Sequence, residues 1–331
     1  MDSTTPDFST VFQAAESSLS KSIKFWLLLV GECLSIPAYL FVIQQFVTRR
    51  ALFSALYNHV VIVNLFVALS VLLTDVVCHL IFLRWGRLLP STHGMCVLWQ
   101  YMDYGFWYAD LSLKLWASIE RHMLIFHANV LNTKARRLLL HYLPLALFTF
   151  YCPLVYVYLI FFHPSDEQLD FSVLFCGGPF FYFTIPPWFV WYESVVHYVT
   201  PIVFAMLITA ALPLRVFLQK HRLHVGNSWR QYRKMTIQLL SIVGVYVFDL
   251  PYVFVTIVRW SGASDFATNI QAPYFYYCTF IPMILFPFAT IVSVPDLKRT
   301  LSNLFHSNGQ RQMNTVGPRT RIPVKTQTIM A

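Results

Sequence analysis

The chain has 331 residues, of which 57% are hydrophobic and only 12% charged, against about 45–50% and about 25% in an ordinary soluble domain. With 17% aromatic residues besides, this excludes an ordinary soluble protein. It also excludes a disordered or collagen-like chain, because disorder needs low hydrophobicity and high charge. The formal net charge is +9, and its meaning depends on where the Lys and Arg residues fall.

Residues 1–22 are polar, rich in Ser and Thr, and lack a cleavable signal pattern, so they read as a tail outside the membrane. A membrane span needs about 20 mostly apolar residues, because a bilayer core is about 30 Å thick and a helix rises about 1.5 Å per residue. Seven stretches qualify: residues 23–46, 58–82, 96–126, 138–162, 188–217, 235–259 and 271–294. Each is too long for the alternating strands of a membrane barrel, which run about 10 residues. The expected fold is an all-α membrane protein, a seven-helix bundle over residues 23–305, followed by a disordered tail over 306–331. No internal repeat is visible, which disfavours an inverted-repeat transporter.

Cytoplasmic loops are enriched in Lys and Arg, so these residues set the orientation. The first loop carries Arg49 and Arg50, the third Lys134, Arg136 and Arg137, and the fifth Arg215, Lys220, Arg222, Arg230, Arg233 and Lys234. The fourth loop, on the other side, is acidic with Asp166, Glu167 and Asp170, while Arg84 and Arg87 in the second dissent. The sum puts the amino terminus outside the cell and the carboxyl terminus inside, as expected of a multi-pass plasma-membrane protein. The positive charge then belongs to the cytoplasmic face, and no nucleic-acid partner is needed to explain it.

Of six cysteines, four lie inside spans and read as small buried hydrophobes. Cys96 and Cys176 differ, because both lie on the outer, oxidising side, where a bond between them would tie the fourth loop over the bundle. No Cys-x-x-Cys or His-rich spacing suggests zinc, and no cofactor is expected. The histidines in or near spans, His59, His79, His141 and His197, read as unclustered.

Within the third span, Asp103, Asp110, Lys114 and Arg121 fall within about 40° of one another at 100° per residue. One ionisable side chain at the bilayer centre costs at least about 2.5–3.5 kcal/mol, so this stripe must face the interior. Its ends lie about 27 Å apart along the helix, Asp103 outermost and Arg121 innermost. Lys114, four residues after Asp110, either forms an intrahelical ion pair with it or joins a three-way network that includes Asp249.

These residues resemble those of rhodopsin-like (class A) G-protein-coupled receptors. Glu120-Arg121-His122 resembles that family's Asp/Glu-Arg-Tyr motif, and Cys96 precedes Arg121 by the spacing of the cysteine bonded to the second extracellular loop, where Cys176 sits. Pro201 resembles the family's fifth-helix proline, Phe248-Asp249-Leu250-Pro251 its Cys-Trp-x-Pro motif, and Pro287 its seventh-helix proline. Residues 296–305 resemble its short amphipathic eighth helix.

The chain also departs from the family: Leu69 stands where a sodium-site Asp is usual, and Asp249 replaces the usual Trp. Phe286-Pro287-Phe288-Ala289-Thr290 lacks the Asn and Tyr of the usual motif. The resemblance implies a divergent orphan receptor in which Glu120, Arg121, His122, Pro251 and Pro287 serve switching and coupling to a heterotrimeric G-protein.

Asp103 lies where aminergic relatives bind a ligand ammonium, and aromatic walls would add ring-face attraction to its charge. Tyr104, Trp107, Tyr252, Tyr274 and Tyr277 are candidate walls, with Glu193, His197 and Asp249 as further polar groups for a small extracellular ligand. Equally open are a hydrogen bond that Asp103 accepts from a neighbouring Tyr and a pairing with His197. The competing functions are an intramembrane lipid hydrolase and a seven-span channel or transporter. A retinal-binding light sensor is disfavoured, since the seventh span has no Lys.

Overall fold

The computed structural model describes residues 18–127, 131–162, 169–178, 186–223, 240–241, 243–263, 265–294, 297 and 299–300. Among these, all regular secondary structure is helical. Helix α1 is Ser18–Thr48 and thus begins inside the segment that the sequence assigns to the tail. The short α2, Arg50–Phe53, leads into α3, Leu56–Trp85. Then come α4 (residues 93–126), α5 (Lys134–Phe162), α6 (residues 187–223), α7 (residues 245–260), α8 (residues 268–278) and α9 (Ile281–Ser293).

Five helices are long and apolar enough to cross a membrane: Ser18–Thr48, Leu56–Trp85, Lys134–Phe162, Trp188–Arg215 and Pro273–Ser293. The chain is therefore a multi-pass membrane protein by length and composition. Two of the seven expected spans are not among the five. Residues 96–126 are helical, but Asp103, Asp110, Lys114, Glu120 and Arg121 break their apolar character. Residues 235–259 are described only from 240 onward. The expected eighth helix lies outside the described residues except for Leu297, Arg299 and Thr300, as does the whole tail 306–331.

Helix boundaries follow local chemistry. Gly86, at φ 68°, takes the left-handed conformation that stops α3 and donates to the Phe82 carbonyl. Thr92 and Thr133 cap α4 and α5 by accepting from Met95 N–H and Arg136 N–H. A Cβ on Gly31 would come within 3.0 Å of the Ile284 side chain, so this glycine sets the close approach of α1 to α9. Beside it, Ser35 Oγ lies 2.8 Å from the Ile284 carbonyl and Tyr39 donates to the Met283 carbonyl at 2.8 Å.

Helix α4 runs through the middle, packed against α3, α5 and α6. The outer surface carries large apolar side chains such as Leu27, Leu147, Leu154, Phe162, Leu207 and Val292, a surface that hydrocarbon covers and water does not. Polar groups are instead turned inward, among them Asp75, His79, Asp110, Lys114, Glu120, Arg121, His141, Glu193 and Asp249.

Three of these, together with Asp103 and His197, sit where the helix widens into a π-turn. Leu72–Val76 carries Asp75, Met102–Phe106 carries Asp103, Leu138–Tyr142 carries His141, and Glu193–Val199 carries both Glu193 and His197. A π-turn inserts a residue and re-aims the side chains around it, a device common at functional sites.

Candidate functional site: a roofed cavity and the polar axis of α4

One end of the helix assembly is covered by a loop whose short 3-10 turn, Leu174–Gly177, carries Cys176. Cys176 is bonded to Cys96 at the start of α4, with Cα atoms 6.0 Å apart across 80 residues of sequence. Two hydrogen bonds hold the loop independently: Gln100 Nε2 donates to the Phe175 carbonyl, and Leu88 N–H donates to the Phe171 carbonyl, both at 2.9 Å. On the exposed side, Asp170 accepts from the hydroxyl and N–H of Ser172 at 2.6 and 2.9 Å. These bonds hold its carboxyl below the ordinary carboxylate range.

Beneath the roof lies a cavity of about 130 Å³. Asp103, Tyr104, Trp107 and Tyr108 of α4 line it together with Phe175 of the loop, Tyr198 of α6, Tyr252 of α7 and Tyr276 of α8. Among the described residues of that lining Asp103 is the one carboxylate, and its Oδ1 accepts from Tyr276 Oη at 3.4 Å. The same hydroxyl lies 3.1 Å from His79 Nε2. His79 Nδ1 in turn faces the Asp75 carbonyl at 2.9 Å and Asp75 Oδ1 at 3.1 Å, and Trp99 Nε1 donates to Asp75 Oδ1 at 2.8 Å. A lone carboxylate ringed by aromatic faces suits a small cation, through charge and through the ring quadrupoles.

Of the expected pocket residues, the structure brings Asp103, Tyr104, Trp107 and Tyr252 together and sends five elsewhere. Glu193 and His197 turn from the cavity toward α5: Tyr156 hydrogen-bonds Glu193, and its hydroxyl lies 3.2 Å from His197 Nδ1. His197 Nε2 meets the Tyr151 hydroxyl at 3.3 Å, so His197 does not pair with Asp103. Tyr274 is exposed on the outside of α8, and Tyr277 packs under the Lys24 ammonium, 4.0 Å from ring centre to Nζ. Asp249 is buried deeper, at the foot of α7.

In the middle of α4, Asp110 Oδ2 forms an ion pair with Lys114 Nζ, both fully buried. Asp110 also accepts from Asn64 Nδ2 of α3 at 2.9 Å and from Tyr246 Oη of α7 at 3.0 Å. The Lys114 ammonium sits over the rings of Tyr246 and Phe286, 4.8 and 4.9 Å from their centres. Asp249 makes no ion-pair contact with Lys114 among the described residues and its Oδ1 has no hydrogen-bond partner, but its charge acts on the Lys114 ammonium at longer range, so it stands at the edge of the same polar network. The cross-links from α4 run through Asn64 and Tyr246, which sequence reasoning missed. The spacing of four residues revealed the pair, but nothing in the sequence marks which neutral side chain reaches it from another helix.

At the opposite end of α4, Glu120 Oε1 pairs with His141 Nδ1 of α5. His141 Nε2 lies 3.0 Å from His59 Nδ1 of α3, whose Nε2 meets the Phe53 carbonyl at 2.9 Å. His59 and His141 thus touch although 82 residues separate them, while among the described residues no three His, Cys, Asp or Glu side chains gather in a way that could hold a metal ion. Arg121 is buried and turned inward, donating to the Tyr57 carbonyl at 3.0 Å with its guanidinium 5.0 Å from the Tyr57 ring centre. His122 Nε2 lies 2.7 Å from the Ile208 carbonyl of α6. Pro251 opens the regular part of α7, and Pro287 lies inside α9 beside Phe286.

The interior is thus layered along α4: a roofed cavity with one carboxylate, a buried ion pair, then a buried acid and guanidinium. No protein-family model matches the chain, and no curated protein matches it.

Proposed function

We propose that the protein is a divergent rhodopsin-like G-protein-coupled receptor of the plasma membrane, a seven-helix bundle with a short eighth helix. Its amino terminus is outside the cell and its carboxyl terminus in the cytoplasm, where it couples to a heterotrimeric G-protein. The ligand is a small cation held by Asp103.

The observation that carries this reading is the use of one helix for both ends. Helix α4 presents Asp103 to the roofed cavity and, 18 residues on, buries Arg121 against Tyr57. A ligand changes a conformational equilibrium only through its differential affinity for the two states. A cation on Asp103 can do this by drawing Tyr252 and Tyr276, which belong to α7 and α8, toward α4. For Arg121 to meet a partner outside the bundle, it must leave the Tyr57 carbonyl, and a shift of the neighbouring helices opens that route.

The test is nucleotide exchange on a purified G-protein by the full chain in lipid nanodiscs, wild type against Arg121→Ala. Exchange by the wild type that Arg121→Ala abolishes supports the receptor. Lipid hydrolysis or ion flux that persists in Arg121→Ala would replace it with a hydrolase or a transport protein.

A further inference from the structure

Helices α5 and α6 both pack on α4, and a chain of polar side chains joins them from the interior to the lipid-facing surface. Glu193 is hydrogen-bonded to Tyr156, whose hydroxyl lies 3.2 Å from His197 Nδ1; His197 Nε2 lies 3.3 Å from Tyr151 Oη, and that hydroxyl bonds Tyr192 Oη. The first three residues are buried, whereas Tyr151 is 37% exposed and Tyr192 half-buried. Among the described residues the two outer hydroxyls have no further partner.

Each phenol in the chain has one proton, and so does a neutral imidazole. With Glu193 a carboxylate, Tyr156 donates to it, His197 Nδ1–H donates to Tyr156, Tyr151 donates to Nε2 and Tyr192 donates to Tyr151. Lone pairs of Tyr192 are then left over. Run the other way, with a proton on Glu193 or on both ring nitrogens, the chain delivers Nε2–H to Tyr151, and the outer pair keeps one O–H that no described group receives. The open valence falls on the Tyr151–Tyr192 pair in every protonation state.

That pair lies within the spans Lys134–Phe162 and Trp188–Arg215. It sits about 6 Å along α6 from the exposed Trp188 and about 10 Å along α5 from the exposed Tyr158, inward of the level at which such aromatic residues meet the membrane surface. Away from the roofed end the wall is hydrocarbon: Leu147 and Leu143 of α5 and Val196 and Phe204 of α6 are all exposed, over about 18 Å along α6.

We propose that the seam between α5 and α6 binds a membrane sterol, its one hydroxyl on the Tyr151–Tyr192 pair and its rigid hydrocarbon body along this wall. A hydroxyl both donates and accepts, so it meets the open valence in either arrangement, whereas an ester carbonyl only accepts. A diacylglycerol also has a free hydroxyl but brings two ester carbonyls with it, and the exposed neighbours Phe150, Leu154 and Val195 offer them no donor. Tyr108, which lines the cavity, packs against Tyr156 and His197 with ring centres 5.6 and 5.5 Å away, so the sterol site and the cavity share a wall. The inference depends neither on Asp103 nor on a G-protein.

The experiment is photolabelling of the full chain in phospholipid nanodiscs with a diazirine-bearing cholesterol, the labelled peptides being read by mass spectrometry. Label is expected within residues 143–151 or 192–204. Cholesterol should displace it at a mole fraction about threefold to tenfold lower than cholestene, the same hydrocarbon without the hydroxyl, which is the scale of one hydrogen bond. In the double variant Tyr151→Phe with Tyr192→Phe the two competitors should become equal. Val196→Trp, which fills the seam without touching the polar chain, should lose the label, and it keeps the proposal testable if the double variant fails to fold. Label confined to other helices, label unchanged in Val196→Trp, or equal displacement by both competitors in the wild type would overturn the site. Displacement by dioleoylglycerol at a lower mole fraction than cholesterol would overturn the sterol as its occupant.

Discussion

The Asp110–Lys114 pair permits a quantitative test of what holds the centre of the bundle. Lys114→Leu removes the counter-charge but leaves the carboxylate two donors, Asn64 at 2.9 Å and Tyr246 at 3.0 Å. Breaking a buried pair costs about 3–5 kcal/mol, and the two retained charge-assisted bonds place this variant near the lower bound, about 3 kcal/mol. Asp110→Asn leaves an ammonium over the Tyr246 and Phe286 rings, worth about 2 kcal/mol when desolvated, which does not replace a counter-ion, so about 4 kcal/mol is lost. Independent effects would sum to about 7 kcal/mol. The double variant Asp110→Asn with Lys114→Leu removes both charges together and forfeits only part of the hydrogen bonding, about 1–2 kcal/mol. The assay is the thermal midpoint in detergent, read by a thiol-reactive dye that reports exposure of the buried Cys78 and Cys152. The double variant should melt above either single variant. A double variant that melts below both, as the sum demands, would refute the claim that the two charges hold each other.

His141→Phe should lower the same midpoint by the equivalent of about 3 kcal/mol, because it strands the Glu120 carboxylate that His141 pairs with, and adding Glu120→Gln should restore most of the loss. Tyr246→Phe removes the hydroxyl that bridges α7 to Asp110 while keeping the ring under Lys114; ligand-free nucleotide exchange should rise several-fold, and exchange at the wild-type level would count against α7 as the moving element. Ser172→Ala should return the Asp170 carboxyl toward the ordinary range, measured by carbon NMR of the labelled carboxyl. A lowered folded-state value stabilises the loop above the ordinary carboxylate range, and the gain fades as pH falls through that lowered value. In Ser172→Ala this acid sensitivity of the loop should shrink without vanishing, because the backbone N–H at position 172 still donates to Asp170.

The inward stripe of α4 was legible in the sequence because charge in hydrocarbon is costly enough to fix which way Asp110, Lys114 and Arg121 point. The bond between Cys96 and Cys176 was legible from the side of the membrane both share. Pocket membership was legible only in part, and the π-turns explain some of the rest. Glu193 and His197 share the π-turn Glu193–Val199, which carries them toward Tyr156 and Tyr151 of α5, and a regular 100° step does not anticipate that. Asp249 misled for another reason: proximity along a helix to a motif position says nothing about which neighbouring helix its carboxylate reaches. Contacts between distant segments, such as His59 with His141 or Asn64 with Asp110, leave no periodic trace in one chain.

The division between charged and neutral contacts bears on how such a bundle moves. In a bilayer the hydrophobic effect does not favour one helix pairing over another, since lipid is as apolar as leucine, so pairing rests on packing and on hydrogen bonds of about 0.6–2 kcal/mol each. Here those bonds are spread between helices: Ser35 and Tyr39 join α1 to α9, Asn64 joins α3 to α4, Ser118 meets Thr209 of α6 at 3.0 Å, and Tyr246 joins α7 to α4. The strong contact at the centre, Asp110 with Lys114, lies within α4 and travels with it. Among the described residues, a displacement of α7 therefore breaks one hydroxyl bond to the Asp110 carboxylate, slides one ring past an ammonium and shifts Asp249 relative to Lys114, while no buried ion pair is separated. A change of that size is within reach of the binding energy of a small ligand, whereas separating the pair would cost about 3–5 kcal/mol and hold the bundle in one state.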